Sequence, residues 1–255
     1  HLRKVSLKSI GLIIVAAIFL FIMADYVNAC SMIAFQNLLD DSLQAIVNKP
    51  VEALVVVAIL PAIIEEFLFR GMIYRGIANK SNKKIVIIIS ALLFAFLHMN
   101  FNQMCYAFVM GLVFAIVIYL TDNLSVSILL HMLFNAFTVI ITCFEKSNAI
   151  QAILQCNIAG YTLFNPSLTD TQGKIEISLL IIGGLIAILS AVIAGWLILL
   201  IAKTEKTTET TINNENILKD NDNIFKNNEN WKPDLRFFAG SGVCILIAIL
   251  YEILL

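Results

Sequence analysis

Val51-Glu-Ala-Leu-Val-Val-Val-Ala-Ile-Leu-Pro61-Ala-Ile-Ile-Glu65-Glu66-Phe-Leu-Phe-Arg70 reads as a membrane-spanning helix with three charges in its last six residues. An ionisable side chain in hydrocarbon costs from about 2.5 kcal/mol on insertion scales to much more in simulations. A chain that carries three such groups side by side in an apolar run therefore has a use for them. Adjacent helical residues point about 100° apart, so Glu65 and Glu66 face different neighbours. Arg70 lies four residues beyond Glu66, on the same face, and is placed to pair with it. Glu65 is then the carboxylate available for proton transfer in an apolar setting. Pro61, four residues before Glu65, removes a backbone hydrogen bond and is expected to bend this helix near the pair.

Two further apolar stretches carry the matching polar groups: His98 ends one, and His131 and Asn135 lie in the other. Apart from His1, the chain has no other histidine. Across 255 residues, 60% are hydrophobic and 14% charged, and the mean hydropathy is +0.89. A soluble domain has roughly 45–50% apolar and about 25% charged residues, so this is an integral membrane protein. The net charge of −1 gives no basic surface for nucleic acid. Five scattered cysteines without C-x-x-C spacing read as small apolar helix residues.

Taking about 20 apolar residues per crossing, the sequence predicts an all-α, polytopic transmembrane bundle of about seven spans. They fall near Ile10–Ala29, Val51–Tyr74, Ile85–His98, Met104–Leu120, Leu124–Phe144, Ile177–Ala202 and Phe237–Leu255. Lys and Arg set the orientation. With the N-terminus inside, fourteen of the seventeen lie on the inner side, and Lys49, Lys146 and Lys174 on the outer, so the chain is expected N-in. Residues 1–202 form the expected membrane core, with the motifs in 51–136. Residues 203–236 are an expected polar cytoplasmic linker with little fixed structure, and 237–255 a C-terminal span. Gly183, Gly184 and Gly195 read as ordinary small residues of a membrane helix. The first residue is His, not Met, and the sequence leaves open whether an upstream helix or signal precedes it.

Spacing alone aligns part of the site. Glu65 lies 17 residues before the turn at Asn82, and His98 16 residues after it. At 1.5 Å per residue both stand about 25 Å from that turn, at matched depth on adjacent antiparallel helices, where they can share one water. His131 and Asn135, at i and i+4, share a face suited to donate hydrogen bonds to a developing oxyanion. By the same count they lie about 12 and 18 Å from the turn at Thr121-Asp122-Asn123, shallower than Glu65.

Glu65-Glu66-x-x-x-Arg70, Phe94-x-x-x-His98 and His131-x-x-x-Asn135, in that order and each in its own apolar helix, resemble the three motifs of the CPBP intramembrane proteases. That family includes the CAAX prenyl endopeptidases of Rce1 type and the Abi group with its bacteriocin-immunity proteins. Phe108-Val-Met-Gly111-Leu-Val-Phe-Ala and Thr121 are similar to its pattern as well. The resemblance implies that Glu65 and His98 orient and deprotonate an attacking water, and that His131 and Asn135 stabilise the oxyanion. Glu66 and Arg70 would support them. It implies a membrane-associated peptide or protein substrate, cut within or beside the lipid bilayer without a covalent intermediate. Although such proteins are often called metalloproteases, the mechanism so implied requires no cofactor; a Zn²⁺ ion, if used, would sit on Glu65, His98 and His131.

The Lys-, Asn- and Ile-rich, Pro-poor composition and the positive-inside pattern fit a multi-pass protein of a bacterial plasma membrane. Two other classes use similar residues. A non-enzymatic bacteriocin-immunity or scaffold protein predicts that biological activity survives Glu65→Gln. A proton-coupled transporter predicts pH-driven uptake, and the absence of an evident internal repeat weighs against it.

Overall fold

The computed structural model describes residues 2–35, 47–78 and 82–219. The chain enters through α1 (Leu7–Met32). Residues 50–78 then form one composite helix, α2, in which helical type changes four times. Helices α3 (Lys83–Leu97), α4 (Phe101–Thr121) and α5 (Leu124–Cys143) follow, joined by short turns. A short α6 (Asn148–Leu154) leads into a hairpin of β1 (Asn157–Ile158) and β2 (Tyr161–Thr162), paired antiparallel. The last described element is α7 (Ile177–Lys219). The sequence's C-terminal span, 237–255, lies outside the described residues, as does 220–236 of the linker.

Short polar residues set the helix starts. The side chains of Ser6, Asn82, Asn100, Asn123 and Ser147 each accept a backbone N–H of the first turn they precede. That satisfies one of the donors every helix start leaves open. The helices α1, α4, α5 and residues Ile177–Thr208 of α7 are long and apolar enough to cross a membrane. Their outward faces fit that role: Ile181, Leu185, Ile188, Val192 and Trp196 form an exposed stripe along α7. At 15 residues, or about 22 Å, α3 falls short of a 30 Å hydrocarbon layer.

The composite α2 differs from the regular helix its sequence suggests. It is π-helical over Leu54–Ile59 and again over Phe67–Tyr74, with the α-helical Leu60–Glu66 between. Pro61 marks the first change, because its ring nitrogen has no hydrogen with which to continue the i→i−5 ladder. Offset ladders leave carbonyls to be met from outside the helix. The Ser90 hydroxyl donates to the Phe69 carbonyl at 3.3 Å, and Asn135 Nδ2 to the Val57 carbonyl at 3.2 Å.

α1 and α7 run antiparallel and close together. A Cβ on Gly183 would stand 2.8 Å from the Tyr26 ring and would also strike Tyr161, and one on Gly184 would stand 3.1 Å from the Tyr26 hydroxyl. These two glycines are therefore a packing surface, correcting their reading as ordinary small residues; Gly195, with nothing within 4 Å, is one. The Tyr26 hydroxyl donates to the Leu180 carbonyl at 2.9 Å. At the other end Glu205 accepts from the Ser6 N–H at 3.2 Å and from Asn123 Nδ2 at 3.0 Å, tying α7 to the chain start and to the α4–α5 turn.

That contact bears on the polar stretch after residue 202. Rather than starting as a loose linker, it continues α7 as helix to Lys219. Glu205 is buried against its partners, and Thr204, Thr207 and Thr208 return their hydroxyls to carbonyls four residues back. The loop after α6 turns inward: Tyr161 is 1% exposed, and Phe164 packs on Phe21.

Candidate active site

The site lies between α2 and α5. These two antiparallel helices meet residue by residue along one stripe of α5. Leu124 lies against Gly71, where an added Cβ would meet it at 3.6 Å. One turn on, the Ser127 hydroxyl donates to Glu66 Oε2 at 2.6 Å. A further turn brings His131 to both carboxylates, and one more brings Asn135 to Val57. Residues 127, 131 and 135 recur every four positions, which keeps them on one helix face.

Glu66 is saturated. Besides Ser127, it takes Arg70 Nη1 at 2.9 Å and His131 Nδ1 at 3.1 Å on Oε1. The Glu66–Arg70 pair expected from the sequence is present, and both side chains are 0% exposed. Burying a charge is costly unless it is paired in good geometry and further hydrogen-bonded. Arg70 Nη2 also donates to the Gly111 carbonyl at 3.0 Å, and its guanidinium lies over Phe94 at 4.4 Å and Phe114 at 5.3 Å. Gly111 has a second duty: a Cβ there would stand 3.0 Å from Ala91 Cα, so glycine lets α3 and α4 close behind the arginine.

Glu66 also fixes the orientation of His131. A carboxylate at Nδ1 requires that nitrogen to carry the proton, which turns Nε2 toward the reactive side. Nε2 stands 3.9 Å from Glu65 Oε2. This is longer than a direct hydrogen bond, yet one water beside the gap reaches both atoms at ordinary length. The ring is held flat against Phe114, with centroids 4.6 Å apart and planes 21° apart. Glu65, Glu66 and Arg70 together carry one net negative charge.

The depth count placed His131 well below Glu65; the structure instead sets them side by side. The two counts start from different heights: Leu124, at the start of α5, lies against Gly71 and not level with the turn at Asn82.

His98 caps the end of α3, partly buried, and its Nδ1 lies 3.0 Å from the Phe94 carbonyl. A carbonyl only accepts, so Nδ1 carries the hydrogen and Nε2 is left with its lone pair. Phe94 touches both imidazoles, at 5.1 Å from His98 and 5.7 Å from His131 between ring centroids. The next residue, Met99, has φ of 47°, a left-handed value that bulky side chains seldom adopt and that stops α3 at the histidine.

Asn135 is the residue whose observed partner differs most from expectation. It was expected to serve the oxyanion, but its amide hydrogen bond goes to the backbone of α2 at Val57.

Of the residues given no role from sequence, Ser127, Phe94 and Phe114 matter most. Ser127 was legible as the position four before His131 on the same stripe. Phe94 and Phe114 stood inside the motif stretches, with nothing to show that they would line the arginine and the imidazoles.

Among the described residues, no three His, Cys, Asp or Glu side chains are grouped to hold a metal ion. Nδ1 of each imidazole is engaged, one by Phe94 and one by Glu66, so Nε2 is the open nitrogen of both. Among the described residues Glu65, His98 and His131 are not grouped as a zinc site, and no step below is routed through one.

A membrane-embedded helical bundle with a buried Glu-Glu-Arg cluster facing two histidines is the class this geometry defines. Residues 47–137 match the family described as Type II CAAX prenyl endopeptidase Rce1-like. The matched residues hold all six site residues expected from the sequence. The chain is also similar to the membrane-embedded CAAX protease MroQ of Staphylococcus aureus (strain USA300), at 34% identity over 116 residues. That alignment covers 43% of this chain and 47% of MroQ, so the chain spans about half the length of its curated relative. No solved structure matches it.

Proposed function

We propose that this protein is an intramembrane endopeptidase of a bacterial plasma membrane, oriented N-in, that hydrolyses a peptide bond in a membrane-associated peptide or protein. The observation that carries the reading is the Glu65–His131 gap of 3.9 Å, with His131 oriented from behind by Glu66. A buried carboxylate and an oriented imidazole facing one water are the parts general acid–base hydrolysis needs. The similarity to a CAAX protease supports the same reaction class.

In this mechanism Glu65 takes a proton from the water while His98 Nε2 holds it for attack. The water oxygen bonds to the scissile carbonyl carbon, and the carbonyl oxygen becomes negative. His131, protonated at Nε2 and steadied by Glu66, donates to that oxyanion. Collapse of the intermediate breaks the C–N bond, and Glu65 returns its proton to the leaving amine. No acyl-enzyme forms and no metal is consumed or required.

The test is purified protein in lipid vesicles with a library of quenched, membrane-soluble peptides. Wild type is expected to cleave, with chelator present or absent, and Glu65→Gln and His98→Ala to be silent. Full cleavage by either variant overturns the reading; loss of cleavage with chelator overturns its metal-free form.

A further inference from the structure

Val57 lies in the π-helical Leu54–Ile59, just before α2 changes to α geometry, and the α-helical partner of its carbonyl would be the nitrogen of residue 61. Proline has no hydrogen there, and its ring pushes the carbonyl at i−4 outward. A buried carbonyl without a donor is costly, so native folds supply one. Asn135 Nδ2 supplies it, at 3.2 Å, from α5. Asn135 lies one turn from His131, and Val57 two turns from Glu65. The Asn135–Val57 bond and the Glu66–His131 bond thus pin α2 to α5 at two heights, with Glu65 and its 3.9 Å gap to His131 held between them.

We infer that Asn135 is a positioning residue: it replaces the hydrogen bond Pro61 removes, and by holding the change from π to α geometry in α2 it sets the distance of Glu65 from His131. The consequence for catalysis rests on the hydrolase reading above; the structural half does not.

This inference predicts a specific rescue. In Pro61→Ala the backbone N–H of residue 61 is restored and can take the Val57 carbonyl, so Asn135 loses its task. Four proteins in detergent test it: wild type, Asn135→Ala, Pro61→Ala and the double variant. With Pro61 in place, Asn135→Ala is expected to lower Tm by about 2–8 °C, the effect of one unmet buried carbonyl in a chain of this size. In the Pro61→Ala background the same substitution is expected to shift Tm by less than about 1 °C. Equal losses in both backgrounds mean the two residues act independently and overturn the inference.

Peptide cleavage gives the second readout. With Pro61 in place, Asn135→Ala is expected to reduce kcat at least tenfold with little change in KM; in the Pro61→Ala background the loss is expected to be less than about threefold. The same large loss of kcat in both backgrounds would make Asn135 a direct oxyanion donor and overturn the positioning role. Asn135→Leu, which keeps the volume, replaces Asn135→Ala if the cavity itself prevents folding. Should wild type cleave no peptide, the Tm cycle still decides the inference, and only the hydrolase reading falls.

Discussion

Two antiparallel helix pairs run through this bundle and are joined by opposite means. Between α1 and α7 the contact is steric: two glycines lie beneath a tyrosine ring, with one hydroxyl-to-carbonyl bond beside them. Between α2 and α5 it is polar: Ser127, His131 and Asn135 each bond across to α2, at Glu66, Glu66 and Val57. Hydrocarbon supplies no hydrophobic drive between helices, so either small-residue packing or interhelical hydrogen bonds must do the joining. The first is the less costly scaffold. The second buries two carboxylates, a guanidinium and an imidazole and distorts one helix into π turns. Among the described helices, that cost is concentrated at the α2–α5 interface, and the proposed function places the chemistry there.

That contrast can be broken, and the largest effect should fall on activity. Glu65→Gln keeps shape but removes the base, and peptide cleavage in vesicles is expected to fall about 100- to 10,000-fold while insertion is unchanged. Undiminished turnover would move the chemistry away from α2. Next comes Arg70→Met, which leaves Glu66 buried without its cation. Denaturant titration in detergent is expected to show a loss of about 3–5 kcal/mol; a loss under about 1 kcal/mol would mean that the pair is not the keystone of the interface. Ser127→Ala removes one donor from the same carboxylate, at an expected cost of about 1.5–3 kcal/mol, read by the same titration. If Ser127→Ala proves neutral, Glu66 is held by Arg70 and His131 alone.

How much of this was legible in the sequence differs between the same two pairs. The apolar runs, the Glu66–Arg70 pairing and the shared face of His131 and Asn135 follow from helical periodicity, and the structure holds each of them. What the sequence hid was axial distance. Depth was counted from two turns taken as level, but the start of α5 lies against Gly71, well before the turn at Asn82, so His131 was placed too shallow relative to Glu65. Pro61 was visible too, but a proline announces a missing bond and not where the replacement will come from. At α1–α7 the glycines were visible and their partner was not. Nothing in the residues near 183 points to Tyr26, 157 positions earlier in the chain, or to Tyr161 in the hairpin after α6.

The smallest predicted effect separates the two kinds of glycine most sharply. Alanine in a helix interior is favoured over glycine by about 1 kcal/mol, because glycine loses more backbone freedom on ordering. At Gly195 an added Cβ meets nothing within 4 Å, so that preference acts alone, and Gly195→Ala is expected to raise stability by up to about 1 kcal/mol. At Gly183 the same methyl would press on the Tyr26 ring at 2.8 Å and on Tyr161, and one of the helices must yield. Overpacking of this kind costs about 1–3 kcal/mol, enough to outweigh the propensity gain, so Gly183→Ala is expected to destabilise. The two substitutions are chemically identical and lie three turns apart on one helix, which removes propensity, hydropathy and insertion as explanations of any difference. Opposite signs in paired thermal melts would show that α1 and α7 are held by contact at Gly183. Equal signs would mean that the tyrosines move aside freely, and the steric half of the comparison would fail.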